Sequence, residues 1–173
     1  MKRKVAVWQF SLFAFVSLFG TLLHFAFDFF EGSFFAAAFS AVNESTFEHM
    51  KLLFWPSFVF AVLQSVYFAK RRDFWCVKLF GISLGLIMIP VLFYTLNGAV
   101  GKTPPWINIM IFFLSVFAMC IFESVRFKKP DGGCFGPLTA LFIICVYALM
   151  FTVFTFVTPR LGLFMDPLPA LTE

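Results

Sequence analysis

The sequence predicts an all-α membrane protein, a polytopic bundle of five transmembrane helices that forms a single domain over residues 1–173. The chain is 61% hydrophobic and only 13% charged, whereas a soluble domain is about 45–50% apolar and about 25% charged. Its mean hydropathy is +0.94, and 30 of its residues are Phe. One small water-soluble core could not bury so many aromatic rings, so we expect lipid to surround the chain.

Five apolar runs are long enough to cross a membrane, since a spanning helix needs about 20 apolar residues. They cover residues 5–29, about 47–69, 74–97, 105–125 and 136–158. Thr103, followed by Pro104 and Pro105, predicts a clean start for the fourth helix. The apolar segment at about 33–42 has only about half the spanning length, and we expect an interfacial or re-entrant helix there.

The distribution of positive charge predicts the orientation of the bundle. Basic clusters precede the first run and follow the second and fourth: Lys2, Arg3 and Lys4; Lys70, Arg71 and Arg72; Arg126, Lys128 and Lys129. The other junctions carry one cation each, at Lys51, Lys102 and Arg160. The positive-inside rule therefore predicts a multi-pass protein of the cell membrane with a cytoplasmic N-terminus. Because the pI of about 9.0 reflects topology, the expected partner is the lipid bilayer and not nucleic acid.

The cysteines show no metal-binding or redox pattern. They lie inside apolar runs or near the basic junctions, at Cys76, Cys120, Cys134 and Cys145. The sequence has no CxxC pair and no Cys–His spacing that suits zinc. We expect four small, buried hydrophobic side chains in a reducing environment.

Polar side chains are concentrated at the end of the bundle opposite the basic clusters. We call this end the histidine end. They include both histidines and four of the nine acidic residues: His24, Asp28, Glu31, Glu44, Glu48, His49 and Lys51. About 20 residues separate His24 from Lys4, and about as many separate His49 from Lys70, which is one membrane thickness of helix. The two imidazoles should therefore lie at a similar depth, near the boundary of the hydrocarbon.

This cluster is the candidate binding site. His24 and Asp28 are four residues apart and share a helical face, and we expect a loop through Gly32 to fold the second helix back against the first. We expect the site to hold a cation or small polar ligand with His24, Asp28, Glu44, Glu48, His49 and Asn108. Imidazoles and carboxylates also bind divalent metals, and the predicted metal ligands are His24, Asp28 and His49.

The same residues also have a purely structural interpretation. Ser45 and Glu48 form an S-x-x-E capping box, in which each side chain accepts a hydrogen bond from the other residue's backbone N–H. Lys51 then pairs with Glu48 three residues before it, and His24 forms a hydrogen bond with Asp28. In this alternative the polar side chains of the histidine end only hold the helices together, and they bind no ligand.

Elsewhere the polar pattern predicts local packing. The small-xxx-small pair Gly81 and Gly85 allows close helix contact, either with other membrane helices or in a homo-oligomer. We call the end of the bundle that carries the three basic clusters the basic end. Near it, Glu123 is expected to pair with Arg126 one turn later, and Lys78 is expected to extend towards the membrane surface.

The sequence does not identify a reaction. It contains no HExxH or GxSxG motif, so catalytic residues are unknown and the question of enzymatic activity stays open. We weigh three functions: a binding or transport-associated protein, a membrane-embedded metal-dependent hydrolase that uses the same residues, and a structural or accessory subunit without a site. The concentration of ionisable groups favours the first.

One segment resembles a known family. The block Asn-Glu-Ser-x-aromatic-Glu-His-x-Lys, from Asn43 to Lys51, lies within a chain similar to small bacterial integral membrane proteins that share the domain of unknown function sixty-five twelve. Phe47 stands where the family has Trp, and the tail from Leu168 to Glu173 departs from the family pattern. The resemblance implies a bacterial membrane protein and no particular activity.

Overall fold

The computed structural model describes residues 2–101 and 104–165, and these form helices joined by short loops. The α-helices are α1 (Lys2–Phe29), α2 (Phe34–Phe39), α3 (Thr46–Tyr67), α4 (Phe74–Val100), α5 (Pro105–Lys128) and α6 (Pro137–Phe156), followed by a 3-10 turn (Gly162–Phe164). Five of them are long and apolar enough to cross a membrane, which confirms the predicted fold class. The predictions for Lys102, Thr103 and the tail after Met165 lie outside the described residues.

The five long helices share one apolar core. Each contributes a fully buried side chain to it: Leu12, Leu53, Ile82, Val116 and Ile144. Large apolar side chains on the same helices point away from the core and are exposed, as helices in contact with lipid require. The structure is therefore that of a multi-pass membrane protein.

The short apolar segment forms α2, six residues that cannot cross a membrane. The helix lies against α6, where the rings of Phe34 and Phe156 stack with their centroids 4.1 Å apart. It covers one side of the histidine end, where α1 and α6 finish and α3 begins.

The small-residue pair is used inside the chain. A methyl group on Gly81 would lie 2.7 Å from the Glu123 side chain of α5, and one on Gly85 would lie 3.1 Å from Leu53 of α3. Because both glycines are buried against neighbouring helices of the same chain, they account for internal packing. The two glycines are therefore not available for contact with a second copy. A homo-oligomer stays a prediction, with no contact surface assigned to it.

The basic end departs from the expectation for the cysteines, because Cys76 and Cys134 form a disulfide. The carboxylate of Asp131 accepts hydrogen bonds from the backbone N–H groups of Arg72 and Asp73, which draws the loop after α5 onto the start of α4. Of the other two cysteines, one is buried and one exposed. The positive-inside rule places this end in the cytoplasm, where thiols are kept reduced, so the predicted orientation and the disulfide conflict.

Asp73 is held tightly within these loops. Its carboxylate pairs with Arg71 at 2.8 Å and accepts the backbone N–H of Gly132 at 3.0 Å. Burial by itself raises the pKa of Asp73, but these hydrogen bonds outweigh burial and hold the pKa below its usual 3.8. The ionised carboxylate therefore stabilises the contact between the two loops.

The predicted local pairing of Glu123 is wrong. Its carboxylate lies 2.6 Å from the ammonium of Lys78, on the neighbouring helix, and both side chains are buried. Lys78 consequently does not extend to the membrane surface. Arg126 points elsewhere, with its guanidinium beside Gly132.

Candidate functional site

The start of α3 organises the histidine end. The side chain of Asn43 accepts the N–H of Ser45 at 2.9 Å, and the Ser45 hydroxyl accepts the N–H of Glu48 at 3.4 Å. The predicted serine cap is thus confirmed, but the reciprocal half of the capping box is wrong. Because Asn43 already satisfies the Ser45 N–H, the Glu48 carboxylate instead accepts the N–H of Val42 at 2.9 Å.

Glu44, in the turn before α3, lies between the two histidines. Its Oε1 is 3.7 Å from His24 Nε2, and its Oε2 is 3.6 Å from His49 Nε2. The ring centroids are 5.5 Å apart, so the structure brings together the two imidazoles that the sequence placed at equal depth. Glu44 itself is 53% exposed, which leaves the carboxylate accessible.

The orientation of His49 is fixed by the helix. Its Nδ1 lies 2.9 Å from the carbonyl oxygen of Ser45. A carbonyl oxygen only accepts, so Nδ1 carries the hydrogen and Nε2 is the atom turned towards Glu44. The His49 ring is therefore held with a defined edge towards the carboxylate.

A cavity of about 300 Å³ lies beside this group, between α1, α5 and the start of α3. Its polar lining comes from Thr21, His24, Glu44, His49 and Asn108, and its other walls are mostly aromatic and aliphatic. Two buried polar atoms, Nδ1 of His24 and Oδ1 of Asn108, have no hydrogen-bond partner within the part of the chain that the structure describes. The cavity thus combines apolar walls with unused hydrogen-bonding capacity.

Four residues of the predicted cluster lie apart from this cavity: Asp28, Glu31, Glu48 and Lys51. Asp28 is exposed and makes no hydrogen bond or ion pair with His24, although they share a helix. Glu31 is exposed in the turn after α1. Glu48 lines no part of the cavity, because its carboxylate is buried on the other side of α3.

Glu48 and Lys51 form a second, enclosed group, which we call the latch. Their charged groups are 2.7 Å apart and almost inaccessible to solvent, as the pairing of Lys51 with Glu48 predicted. Lys51 Nζ also donates to the carbonyl oxygen of Ala37 and to the hydroxyl of Thr155, each at 2.8 Å. The latch thereby ties α2 and α6 to α3, and for these two residues the structural interpretation is the better one.

Sequence reasoning missed several residues that shape this end. Thr155 lies in an apolar run far along the chain, so no local signal links it to Lys51. Phe112, which lines the cavity, is one of 30 phenylalanines and has no distinguishing pattern. Only one feature of the sequence indicates that Lys51 is buried: an apolar run follows it directly.

The metal hypothesis is not tested by the contacts. Among residues 2–101 and 104–165, no group of three or more His, Cys, Asp or Glu side chains is placed to hold a metal ion. Of the three predicted ligands, His24 and His49 are neighbours and Asp28 is not. A divalent metal bound by these residues stays a prediction.

The fold and this site define a class, that of multi-pass helical membrane proteins with a small cavity lined by histidine and carboxylate at one end. The chain belongs to the family of unknown function DUF6512, whose model matches residues 1–170. This confirms the resemblance seen in the sequence. Comparison with curated proteins and with solved structures finds no match.

Proposed function

We propose that the protein binds a small organic cation, or a polar ligand with an apolar body, in the cavity beside Glu44. The observation that carries the proposal is the placement of one accessible carboxylate between two imidazoles at the wall of a largely apolar cavity. The basic clusters favour an orientation in which this cavity opens on the outer side of the cell membrane, whereas the disulfide at the other end favours the reverse orientation.

The polar wall favours a ligand that donates hydrogen bonds. A carboxylate offers only acceptor atoms, and Asn108 Oδ1 is a further buried acceptor without a partner among the described residues. His49 Nδ1 already donates to Ser45 and is not free for a ligand. A primary or substituted ammonium group would satisfy these acceptors and match the charge of Glu44.

The remaining walls favour an apolar body next to that charge. Phe25, Phe112 and Phe113 contribute aromatic rings, and the faces of such rings attract cations. Phe25 on α1 and Ile109 on α5 are both largely exposed, so the cavity has its rim at the lipid-facing surface between these helices. A ligand that partitions into the membrane interface can therefore enter from the side.

The test is ligand-induced stabilisation of the full chain in lipid nanodiscs, with butylamine and Zn²⁺ as separate probes. A ligand at 100 times its Kd stabilises the folded state by about 2.7 kcal/mol. We expect butylamine to raise the unfolding temperature of the wild type and of Asp28→Asn, which removes an exposed carboxylate from the same end. Glu44→Gln should lose the effect.

Two outcomes would overturn the proposal. In one, butylamine stabilises none of the three proteins; in the other, it stabilises Glu44→Gln as strongly as the wild type. Stabilisation by Zn²⁺ alone, abolished in His24→Ala and His49→Ala, would favour the metal hypothesis over an organic cation.

A further inference from the structure

The bundle contains two buried lysine–glutamate pairs, and their surroundings differ. In the latch, the Glu48 carboxylate accepts from Lys51 and from the N–H of Val42, and its other oxygen lies 3.3 Å from the Thr155 hydroxyl, whose one hydrogen is shared with the carbonyl oxygen of Phe151. Lys51 in turn has three acceptors. Each charge in the latch is therefore surrounded by complementary groups, which is what a stable buried ion pair requires.

The second pair, Lys78 with Glu123, lacks such support. Lys78 donates to Glu123 Oε2 at 2.6 Å, but Glu123 Oε1 is buried and has no partner among the described residues. A buried carboxylate that accepts a single hydrogen bond is poorly stabilised as an anion. The latch thus supplies more hydrogen bonds to its carboxylate than this pair does.

Gln9 of α1 lies beside the incomplete pair. Its side chain faces the Glu123 carboxylate, and both its amide atoms are buried without a hydrogen-bond partner in the described part of the chain. A glutamine amide offers an N–H donor to a carboxylate and, after rotation, a C=O acceptor to a carboxylic acid. Gln9 can therefore serve both protonation states of Glu123.

Lys78 also has favourable contacts that do not depend on the negative charge of Glu123. The Lys78 ammonium lies 5.9 Å from the ring centroids of both Phe74 and Phe127. These ring faces attract the cation independently of Glu123. Lys78 therefore keeps favourable contacts when the charge on Glu123 is lost.

We propose that Lys78, Glu123 and Gln9 form a proton-binding site inside the basic end of the bundle. One proton from a buffer acid binds the Glu123 carboxylate and converts it to a carboxylic acid, while Lys78 keeps its own proton. The new O–H then donates to the Gln9 carbonyl oxygen. The site lies one to two helical turns inside the ends of α4 and α5.

Few other charged groups face this site. The thiol of Cys120, one turn earlier on α5, is within electrostatic reach of both Glu123 and Lys78. On α3, Gln64 is uncharged and donates to the carbonyl oxygen of Trp8 at 3.5 Å. An ionisable residue inside a membrane helix is costly, and its presence at this position supports a role in proton uptake.

The test is infrared difference spectroscopy on the full chain in phosphatidylcholine vesicles, between about pH 8 and about pH 5, both above the ordinary pKa of glutamate. We expect acidification to produce the carbonyl stretching band of a protonated carboxyl group. The band should vanish in Glu123→Gln and persist in Glu48→Gln, the matched variant of the latch. Absence of the band from the wild type, or its persistence in Glu123→Gln, would overturn the proposal.

A second variant keeps the proposal testable if Glu123→Gln does not fold. Gln9→Leu removes a neutral side chain of similar size and leaves the ion pair in place. We expect it to retain the carboxyl band and to shift its frequency, because the acid loses its hydrogen-bond acceptor. A band identical to that of the wild type would contradict the site as described.

Discussion

Gly20 of α1 lies so close to Leu52 of α3 that a methyl group on the glycine would be 2.8 Å from the Leu52 carbonyl oxygen. It would also be 2.6 Å from the ring of Phe112 on α5. Three helices therefore meet at a residue with no side chain, at the floor of the cavity beside the histidines.

Gly20→Val should separate these helices and destabilise the protein by about 1–3 kcal/mol, because a backbone carbonyl cannot move aside as a flexible side chain can. Chemical unfolding in detergent micelles measures the change. Gly98→Ala is the control, since nothing lies within 4 Å of a methyl group there and alanine favours a helix. Equal losses in both variants would contradict the close approach of α1 and α3.

Lys51→Met should cost about 3–5 kcal/mol, because it leaves the Glu48 carboxylate buried without its counter-ion. The double variant Lys51→Met with Glu48→Gln should lose less than the sum of the single losses, since no uncompensated charge is left. Unfolding free energies of the four proteins form the thermodynamic cycle. Lys128→Met, at an exposed lysine, is the control and should change stability by less than about 0.5 kcal/mol. Strictly additive losses for Lys51→Met and Glu48→Gln would argue against the latch.

Removal of the disulfide by replacing Cys76 and Cys134 with serine should lower stability by about 2–4 kcal/mol, because the bond closes a chain segment of 58 residues in the unfolded state. The comparison is thermal unfolding of the variant against Cys145→Ser, which changes an exposed free thiol. Thiol labelling of the wild type in intact cells adds an independent readout. Rapid labelling of Cys76 and Cys134 without added reductant would show that the bond is absent in the cell.

Stability at low pH should depend on Asp73. Since the folded-state pKa of Asp73 lies below its usual 3.8, the folded protein binds its proton less readily than the unfolded chain. Its contribution is complete above about pH 4 and is lost as the pH falls through the folded-state value. Unfolding temperatures measured against pH should therefore fall less steeply for Asp73→Asn than for the wild type.

The five spans were predictable because each is a continuous apolar run, and lipid leaves such a run no alternative to a helix. The meeting of His24 and His49 was predictable for a similar reason, since helix rise and membrane thickness together fix depth. Depth and a shared helical face do not fix the direction of each side chain: His24 turns to Glu44, while Asp28, four residues later on the same helix, is exposed.

Contacts between distant segments were not predictable. Sequence proximity offered Glu123 a partner in Arg126, but the packing of α4 on α5 supplied Lys78, 45 residues earlier. In the same way, the sequence contains both residues of a capping box, but the Ser45 N–H donates to the Asn43 side chain and not to Glu48. Local patterns identify which groups can form a bond, and tertiary packing selects among them.

The two buried ion pairs also bear on how the chain enters the membrane. Glu48 and Lys51 lie on one helix, so α3 carries its own counter-ion and can enter lipid as a nearly neutral segment. Lys78 and Glu123 lie on successive helices, and neither α4 nor α5 is neutralised until they meet. The charge pairing therefore favours insertion of α4 and α5 together, as one helical hairpin.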